Sequence, residues 1–274
     1  MGEHHRLELF LLRAPMTDSA ARSRLYASPE VYDVAFGWDL KLELEFLDRC
    51  FAEHVEGPVR RVLEPACGTG RLLLALAERG YDVAGYDRSA EMTAYAAARL
   101  APHEGAVWRG DMVSFRPPGE FDAAINLVNS IGYLLEDRQV VEHLSRVAEA
   151  VRPGGIYLVQ ISYEDEPPEL ASFGPWGNRR GDLSTTLLWR VVREDKAERR
   201  SYQECRITAR RGRERTVFEE SHVLRLWTQE DLDRLIAATP FRLAAVYHDC
   251  FEPFDLAERR TGEYGNLYHV LRRD

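Results

Sequence analysis

The feature of this sequence that most constrains its fold is a regular alternation of short apolar runs and helical segments between residues 61 and 161. Short apolar runs predict buried strands, and apolar residues at helical spacing predict helices between them. In chain order we predict strand 61–64, helix 72–79, strand 81–86, helix 90–100, strand 106–109, strand 121–127, helix 137–151 and strand 156–161. This order indicates right-handed βαβ units and a parallel sheet with helices on both faces.

The segment that precedes this core reads as helical over residues 22–54, with Leu40, Leu44 and Leu47 at helical spacing. We expect Pro29 to break it into two pieces, because proline removes a helical hydrogen bond. Residues 1–20 are expected to be a loose leader without a function of their own.

The pattern changes after residue 162. Residues around Pro167, Pro168 and Pro175 are predicted to form a loop. Alternating apolar and polar residues then predict three antiparallel strands, at 184–192, 199–210 and 215–226. A helix capped by Thr228 and running to about Ala238 should follow, and after it strands at 242–249 and 266–271. An insertion after the fifth strand lies at the carboxyl edge of the sheet, where open α/β sheets bind ligands.

The bulk composition excludes several classes of protein. The net charge of −9 over 274 residues argues against a general nucleic-acid binder, since phosphate contacts need a basic face. Cys50, Cys67, Cys205 and Cys250 form no CxxC pair and suit neither a zinc site nor a disulfide framework. No apolar run reaches the roughly 18 residues of a membrane span. We therefore expect a cytoplasmic protein without a membrane partner or a metal.

The strongest local motif is EPACGTGR at 64–71, which joins the first strand to the first helix. Gly68 and Gly70 allow a sharp turn and a close approach of the backbone to a ligand. A dinucleotide site would show GxGxxG, but Leu73 stands at the place of the third glycine. A carboxylate at Glu64 fits a cationic ligand better than a pyrophosphate. The alternative is an ordinary tight βα turn.

An acid also stands at the end of the second strand. Asp87 there can accept both ribose hydroxyls of a nucleoside, as acids do in dinucleotide folds. The alternative is a cap for the next helix, a role that Ser89 shares. Arg88 and Met92 follow and are candidates to flank an adenine.

A third signal, Gly110-Asp111-Met112, follows the third strand. Asp111 can accept from an adenine amino group, with Met112 packed on the ring. An ordinary loop aspartate is the alternative. Three such signals at the ends of three successive strands are far more specific than one.

In these motifs, the chain resembles the class I S-adenosylmethionine (SAM)-dependent methyltransferases. The matching segments are EPACGTGR (64–71), GYDRS (85–89), GDM (110–112), FDAAINLVNSIGYL (121–134) and RPGG (152–155). The resemblance implies a Rossmann-like, seven-stranded, mostly parallel sheet with an inserted antiparallel β lid, and SAM as the cofactor. It divides the chain into a leader and helical cap (1–54), a SAM-binding core (55–162), a substrate lid (163–226) and a C-terminal segment that completes the sheet (227–274).

The resemblance also implies roles for single residues. Glu64 and the backbone of 66–70 would face the methionine part of SAM, Asp87 the ribose, and Asp111 the adenine. Asn126 and Leu127 would pass beneath the sulfonium, while Tyr26 and Tyr32 would close over the cofactor. The predicted cofactor-binding residues are Tyr32, Glu64, Ala66, Cys67, Gly68, Gly70, Asp87, Arg88, Met92, Asp111, Met112, Asn126 and Leu127.

Within the superfamily, NSIGYL, the late insert and LWTQEDLDRL are similar to nucleotide-sugar N,N-dimethyltransferases and to glycine or sarcosine N-methyltransferases. The sequence departs from the sugar enzymes at Tyr133, near which they carry a histidine. Tyr133, Asn129 and Tyr32 are the candidate catalytic residues, with a packing role as the alternative for both tyrosines.

Other chemistry-bearing residues have weaker signals. A structural role is favoured for the strand histidines His222, His248 and His269, because only local placement supports catalysis. The loop predicted before the lid contains Trp176, Arg179 and Arg180, which are candidates to bind an acidic or aromatic acceptor. The alternative is a solvated loop that the tryptophan anchors.

The expected function is methyl transfer to a nitrogen or an oxygen of a small molecule by in-line displacement. The alternative is a SAM-binding scaffold or sensor without transferase activity. The partner is expected to be a small-molecule acceptor rather than a nucleic acid, and a homodimer is a candidate assembly.

Overall fold

The computed structural model describes residues 25–163, 172–248, 251–255 and 266–274. Short 3₁₀ helices lie at Leu25–Ala27 and Ser130–Tyr133. The α-helices are α1 (Pro29–Ala35), α2 (Lys41–His54), α3 (Arg71–Glu78), α4 (Ala90–Leu100), α5 (Asp137–Ala150) and α6 (Gln229–Ala237). The strands are β1 (Arg61–Pro65), β2 (Asp82–Asp87), β3 (Gly105–Arg109), β4 (Phe121–Asn126), β5 (Val151–Ser162), β6 (Ser172–Arg180), β7 (Leu183–Asp195), β8 (Arg200–Arg211), β9 (Glu214–Arg225), β10 (Phe241–His248) and β11 (Asn266–Arg273).

The larger sheet has seven strands in the order β10-β11-β5-β4-β1-β2-β3. β11 runs antiparallel to both of its neighbours, and the pairs from β5 to β3 are parallel. One face packs on α5 and α6 through residues such as Leu144 and Leu235, and the other on α2 and α3 through Leu47 and Leu73. The predicted seven-stranded, mostly parallel Rossmann-like sheet is confirmed.

The smaller sheet is antiparallel, in the order β6-β7-β8-β9, and follows the carboxyl end of β5. Its inner face presents Leu187, Ile207 and Phe218, which pack against Leu25 and Val34. Burial of these apolar side chains stabilises the contact, because each removes hydrocarbon from water. We call this smaller sheet, β6 to β9, the lid sheet. The N-terminal helix α1 therefore lies between the lid sheet and the core.

The lid prediction was wrong in one respect. It missed β6, so the lid has four strands where three were predicted, and the predicted loop around Pro175 is a strand. Proline is tolerated there because β6 is an edge strand with a register shift between Phe173 and Trp176. Trp176, Arg179 and Arg180 consequently lie on this strand. Pro167 and Pro168 lie outside the described residues.

Two boundaries also differ from the predictions. Pro29 does not break a helix but begins α1, where its missing N–H costs nothing. The interruption falls instead between Ala35 and Lys41. β5 begins at Val151 rather than at residue 156, because the strand continues through Gly154, whose φ of +76° accommodates an irregularity in its pairing with β4.

None of the helices in the described part of the chain combines the length and apolar character that crossing a membrane requires. The division of the chain at residues 54, 162 and 226 stays a prediction.

Candidate cofactor and acceptor site

The glycine-rich loop leaves β1 in a tight, left-handed path. Ala66, Gly68 and Gly70 have φ values of +54°, +53° and +69°. At Gly70 a Cβ atom would stand 2.9 Å from the Cβ atom of Ala96 on α4, so glycine is required there for space as well as for backbone conformation. At Gly68 the space is open. The loop therefore packs on α4 at one end and leaves its backbone accessible at the other.

Asp87, at the end of β2, is fixed by the same loop. Its Oδ2 accepts from the Gly68 N–H at 3.0 Å and its Oδ1 from the Ser89 N–H at 2.9 Å. Burial raises the pKa of the Asp87 carboxyl, and these two hydrogen bonds partly oppose the rise. A carboxylate oxygen accepts more than one hydrogen bond, so the side chain retains capacity for ligand hydroxyls.

Glu64, near the end of β1, is the most unusual group of the site. It is 7% exposed, and its Oε2 has no hydrogen-bond partner among the described residues. Burial raises the pKa of this carboxyl to about 8. A buried carboxylate is costly unless a donor or a cation satisfies it. The side chain therefore suits a ligand that brings a positively charged N–H group.

Asn126 on the adjacent strand β4 presents a second unsatisfied acceptor. Its amide nitrogen donates to the Pro65 carbonyl at 3.1 Å, while its buried Oδ1 has no partner among the described residues. Glu64 and Asn126 line the same cleft, which encloses about 510 Å³ of empty space, part of it open to solvent. Its lining is formed by Tyr32, Phe36, Trp38, Glu64, Pro65, Ala66, Cys67, Gly68, Thr69, Arg71, Leu72, Asn126, Leu127, Val128 and Ser130.

Arg71, the first residue of α3, adds a positive charge to this cleft. Its guanidinium lies 4.1 Å from the centroid of the Trp38 ring and donates to the Trp38 carbonyl at 3.0 Å. Together Glu64, Asn126 and Arg71 offer two acceptors and one cation, the complement of a zwitterionic amino acid. Arg71 is the last residue of the EPACGTGR motif, but the motif predicted no role for it.

A second polar cluster borders the cleft on the side of the lid. The Tyr133 hydroxyl lies 3.1 Å from the Tyr26 hydroxyl and 2.9 Å from Nδ1 of His222 on β9. The Tyr26 ring lies 5.8 Å from that of Tyr32, which lines the cleft. The His222 ring stacks on Trp189 at 4.7 Å, and burial lowers the pKa of His222 to about 4. The His222 imidazole is therefore uncharged at neutral pH.

The candidate Asn129 contacts the scaffold. It adopts a left-handed conformation with φ +47° ahead of the second 3₁₀ helix. Its Oδ1 accepts from the Ser162 N–H at 3.4 Å, which ties the segment after β4 to the end of β5. Its neighbours Val128 and Ser130 line the cleft, although sequence reasoning gave Val128 no role.

The residues predicted for the adenine end lie outside the lining of the cleft. Asp111 caps a turn by accepting from the Val113 N–H at 2.9 Å, and the Met112 carbonyl lies 3.1 Å from Nδ1 of His143. Met92 is buried at the start of α4, whereas Arg88 is exposed. Their contact with an adenine stays a prediction.

Sequence reasoning missed Asp33, a fully buried carboxylate on α1. Its Oδ1 accepts from the Thr69 hydroxyl at 2.8 Å and from Arg99 at 2.7 Å, and its Oδ2 accepts from Arg180 at 2.6 Å. Asp33 therefore joins the glycine loop, α4 and lid strand β6 at one point. The adjacent Tyr32, which faces the cleft, was the nearest signal available in the sequence.

Among the residues that the structure describes, no three His, Cys, Asp or Glu side chains are grouped so that they could hold a metal ion.

A sheet of this strand order, with a glycine loop, an acid at the end of β2 and a cleft at the carboxyl edge, defines a nucleoside-binding α/β class. Residues 62–155 match a family described as a methyltransferase domain. A dTDP-3-amino-3,6-dideoxy-alpha-D-glucopyranose N,N-dimethyltransferase of Streptomyces fradiae is 31% identical over 179 residues, covering 65% of this chain and 68% of the relative. A glycine/sarcosine N-methyltransferase of Parasynechococcus marenigrum (strain WH8102) is 32% identical over 135 residues, covering 47% of this chain and 46% of that protein.

Solved structures share the fold. The sugar N-methyltransferase KedS8 from Streptoalloteichus sp ATCC 53650 superimposes with a TM-score of 0.70 at 23% identity, covering 95% of this chain and 98% of that one. The chain belongs to the SAM-dependent methyltransferases, and SAM is its cofactor. The cleft fits the methionine end of SAM, because the unsatisfied oxygens of Glu64 and Asn126 match an ammonium and Arg71 matches a carboxylate.

Removal of the Asp87 carboxylate tests its predicted contact with the ribose. Asp87→Ala should weaken SAM binding by roughly 1–3 kcal/mol, since two hydrogen bonds to an ionised acceptor are lost. Isothermal calorimetry with SAM measures the change, and Asp82→Ala, at the opposite end of the same strand, serves as the control. Equal affinity of wild type and Asp87→Ala would contradict the assignment.

Proposed function

We propose that this methyltransferase transfers the methyl group of SAM to an amine nitrogen of a small molecule, of the amino-sugar kind for which some of its relatives are named. Two groups of relatives named for N-methylation, of nucleotide-linked amino sugars and of glycine or sarcosine, support an amine acceptor. The alternative of a scaffold without activity is not favoured, because these relatives are named as transferases.

The observation that carries the choice of nitrogen over oxygen is the cluster of Tyr26, Tyr133 and His222 beside the cleft. An alcohol needs a general base to become a nucleophile, whereas a neutral amine needs only to be oriented. A buried imidazole whose pKa is lowered to about 4 is a weak base for an alcohol. It is well suited to hold an amine by a hydrogen bond.

In this proposal the residues of the chain contribute by binding and orientation. SAM supplies an already activated methyl group, so most of the acceleration can come from alignment of the nucleophile with the methyl carbon. Glu64, Asn126 and Arg71 hold the amino-acid end of the cofactor, and Asp87 holds its ribose. Tyr32 forms the wall of the cleft next to the cluster, and the lid sheet shields the acceptor from water.

Tyr133 is the residue of the cluster that orients the others, since its hydroxyl contacts both Tyr26 and His222. Asn129 has the supporting role of fixing the segment that carries Tyr133. Tyr133→Phe should lower kcat on the order of 10–100-fold, because the hydrogen bonds of the Tyr133 hydroxyl to Tyr26 and His222 are lost. The SAM affinity should be unchanged.

The test uses dTDP-3-amino-3,6-dideoxy-alpha-D-glucopyranose, with methylated product measured by mass spectrometry. The same nucleotide sugar with a hydroxyl at position 3 reports O-methylation. Tyr81→Phe is a matched control, because the Tyr81 hydroxyl donates to Asp48 at 2.9 Å, remote from the cluster. Methylation of the hydroxyl sugar in preference to the amine would refute the proposed function, and normal turnover by Tyr133→Phe would assign Tyr133 to packing.

A further inference from the structure

His222 has one satisfied and one unsatisfied ring nitrogen. The residue is 5% exposed, its Nδ1 lies 2.9 Å from the Tyr133 hydroxyl, and its buried Nε2 has no hydrogen-bond partner among the described residues. A buried polar atom without a partner is costly, because it has lost its hydrogen bond to water and gained none in return. Such an atom in a native structure requires an explanation, and a bound ligand would supply the partner that the described residues do not provide.

The position of His222 follows from the alternation of side chains along β9. Phe218, Glu220 and His222 are spaced by two and share one face of the strand. Phe218 packs into the cluster with Leu25, and Glu220 accepts from the Leu25 N–H at 2.7 Å. This face is therefore the inner face of the lid, and His222 is the residue that it directs toward Tyr26 and Tyr133.

The imidazole is also held in a fixed orientation. Trp189 stacks on it with an interplanar angle of 10°, and the Tyr26 ring meets it edge-on at 6.3 Å. The Trp189 indole is fixed in turn, since its Nε1 donates to Gln203 at 2.6 Å and Gln203 donates to Ser201 at 2.9 Å. A lid histidine supported to this degree is preorganised, as a contact to a reacting group requires.

We propose that Nε2 of His222 accepts a hydrogen bond from the acceptor amine and thereby directs its lone pair at the methyl group; this inference rests on the proposed function. Nδ1 then carries the ring proton and donates to the Tyr133 hydroxyl, which donates to the Tyr26 hydroxyl. The two contacts within the chain have hydrogen-bond distances in the structure, 2.9 Å between His222 and Tyr133 and 3.1 Å between Tyr133 and Tyr26.

The chemistry explains why an uncharged imidazole suits this place. The amine lone pair forms the N–C bond, the C–S bond breaks with its electron pair on sulfur, and the positive charge passes from sulfur to nitrogen. The N–H bond to Nε2 strengthens as the nitrogen becomes positive, so the contact favours the transition state over the ground state. An imidazolium would repel the same charge.

Two substitutions separate the two nitrogens of the ring. Asparagine places its amide atoms near Nδ1, and glutamine places them one bond further, near Nε2. His222→Gln should keep kcat/KM for the dTDP-linked amino sugar within about 10-fold of wild type, while His222→Asn, which keeps only the reach toward Tyr133, should lose roughly 100-fold or more. Both should bind S-adenosylhomocysteine with wild-type affinity, and His103→Asn in the turn before β3 is the control.

Equal losses in the two variants, or an Asn variant as active as wild type, would overturn the inference while leaving the proposed function intact. A wild-type enzyme that binds SAM but does not methylate the amino sugar would overturn the proposed function and the inference with it.

A measurement on the unmutated protein does not depend on folding of a variant. The ¹⁵N resonance of His222 Nε2 in the S-adenosylhomocysteine complex should be that of an unprotonated nitrogen and should shift when the amino sugar is added; a protonated Nε2 would refute the proposal.

Discussion

Replacement of Glu64 by glutamine is expected to weaken SAM binding by roughly 10–100-fold, because a hydrogen bond from an ammonium to a carboxylate is worth about 1.5–3 kcal/mol. The same substitution is expected to stabilise the ligand-free protein in alkaline solution. Both effects arise from the buried and unpartnered Oε2 of Glu64. Glu64 would therefore destabilise the ligand-free protein in alkaline solution and, through the same oxygen, bind the cofactor.

The pH dependence has a definite sign. Burial raises the pKa of Glu64 to about 8 from an ordinary value of 4.5. The folded, ligand-free protein therefore keeps this proton between about pH 4.5 and pH 8, where the unfolded chain has lost it. The free energy of unfolding contributed by this group falls as the pH rises through that window, by about 1.4 kcal/mol for each pH unit, and is constant above it. Glutamine does not titrate and removes this dependence.

Urea unfolding of wild type and Glu64→Gln at pH 6 and pH 9 measures the stability difference, with the exposed Glu120→Gln as the control. Calorimetry of SAM binding at pH 7 in buffers with different ionisation enthalpies should show proton release by wild type, since the ammonium ionises Glu64, and none by Glu64→Gln. Equal alkaline stability of both proteins, together with equal SAM affinity, would show that Glu64 is neither strained nor a ligand.

The sequence predicted features that depend on local patterns. The strands and helices of the core, the turn at Gly68 and Gly70, and the placement of Glu64 and Asp87 at strand ends follow from periodicity and a short motif. Strand β6 was missed because Pro175 and the neighbouring glycines are loop signals, and only its edge position in the sheet overrides them.

Other site features depend on contacts between distant residues. Asp33 is separated from Thr69, Arg99 and Arg180 by 36, 66 and 147 positions. A single aspartate on a helix carries no sign of such partners until the lid is folded onto the core. His222 was assigned a structural role for the same reason, since its contact to Tyr133 spans 89 positions.

Replacement of Asp33 by asparagine is expected to lower the free energy of unfolding by about 3–5 kcal/mol, the usual cost of breaking a buried ion pair on one side. The carboxylate is fully buried and accepts from two guanidinium groups. An amide would present N–H groups to a donor and leave Arg99, whose side chain is 23% exposed, with an uncompensated charge. This is a large part of the 5–15 kcal/mol that typically stabilises a domain.

The same change should reach the cofactor, because Asp33 holds the Thr69 hydroxyl of the glycine loop. We expect Asp33→Asn to weaken S-adenosylhomocysteine binding, whereas Arg180→Ala, which removes only the partner on the lid, should raise KM for the acceptor more than it changes cofactor affinity. Asp182→Asn is the matched control, since this aspartate also faces an arginine but is 72% exposed. Surface pairs of that kind contribute at most about 1 kcal/mol. If Asp33→Asn and Asp182→Asn unfold at the same urea concentration, the buried carboxylate does not stabilise the contact between the lid sheet and the glycine loop. That stability must then come from the other contacts of α1 with the lid sheet, which include apolar packing and the hydrogen bonds from Trp176 and Asn178 to the Ala35 carbonyl.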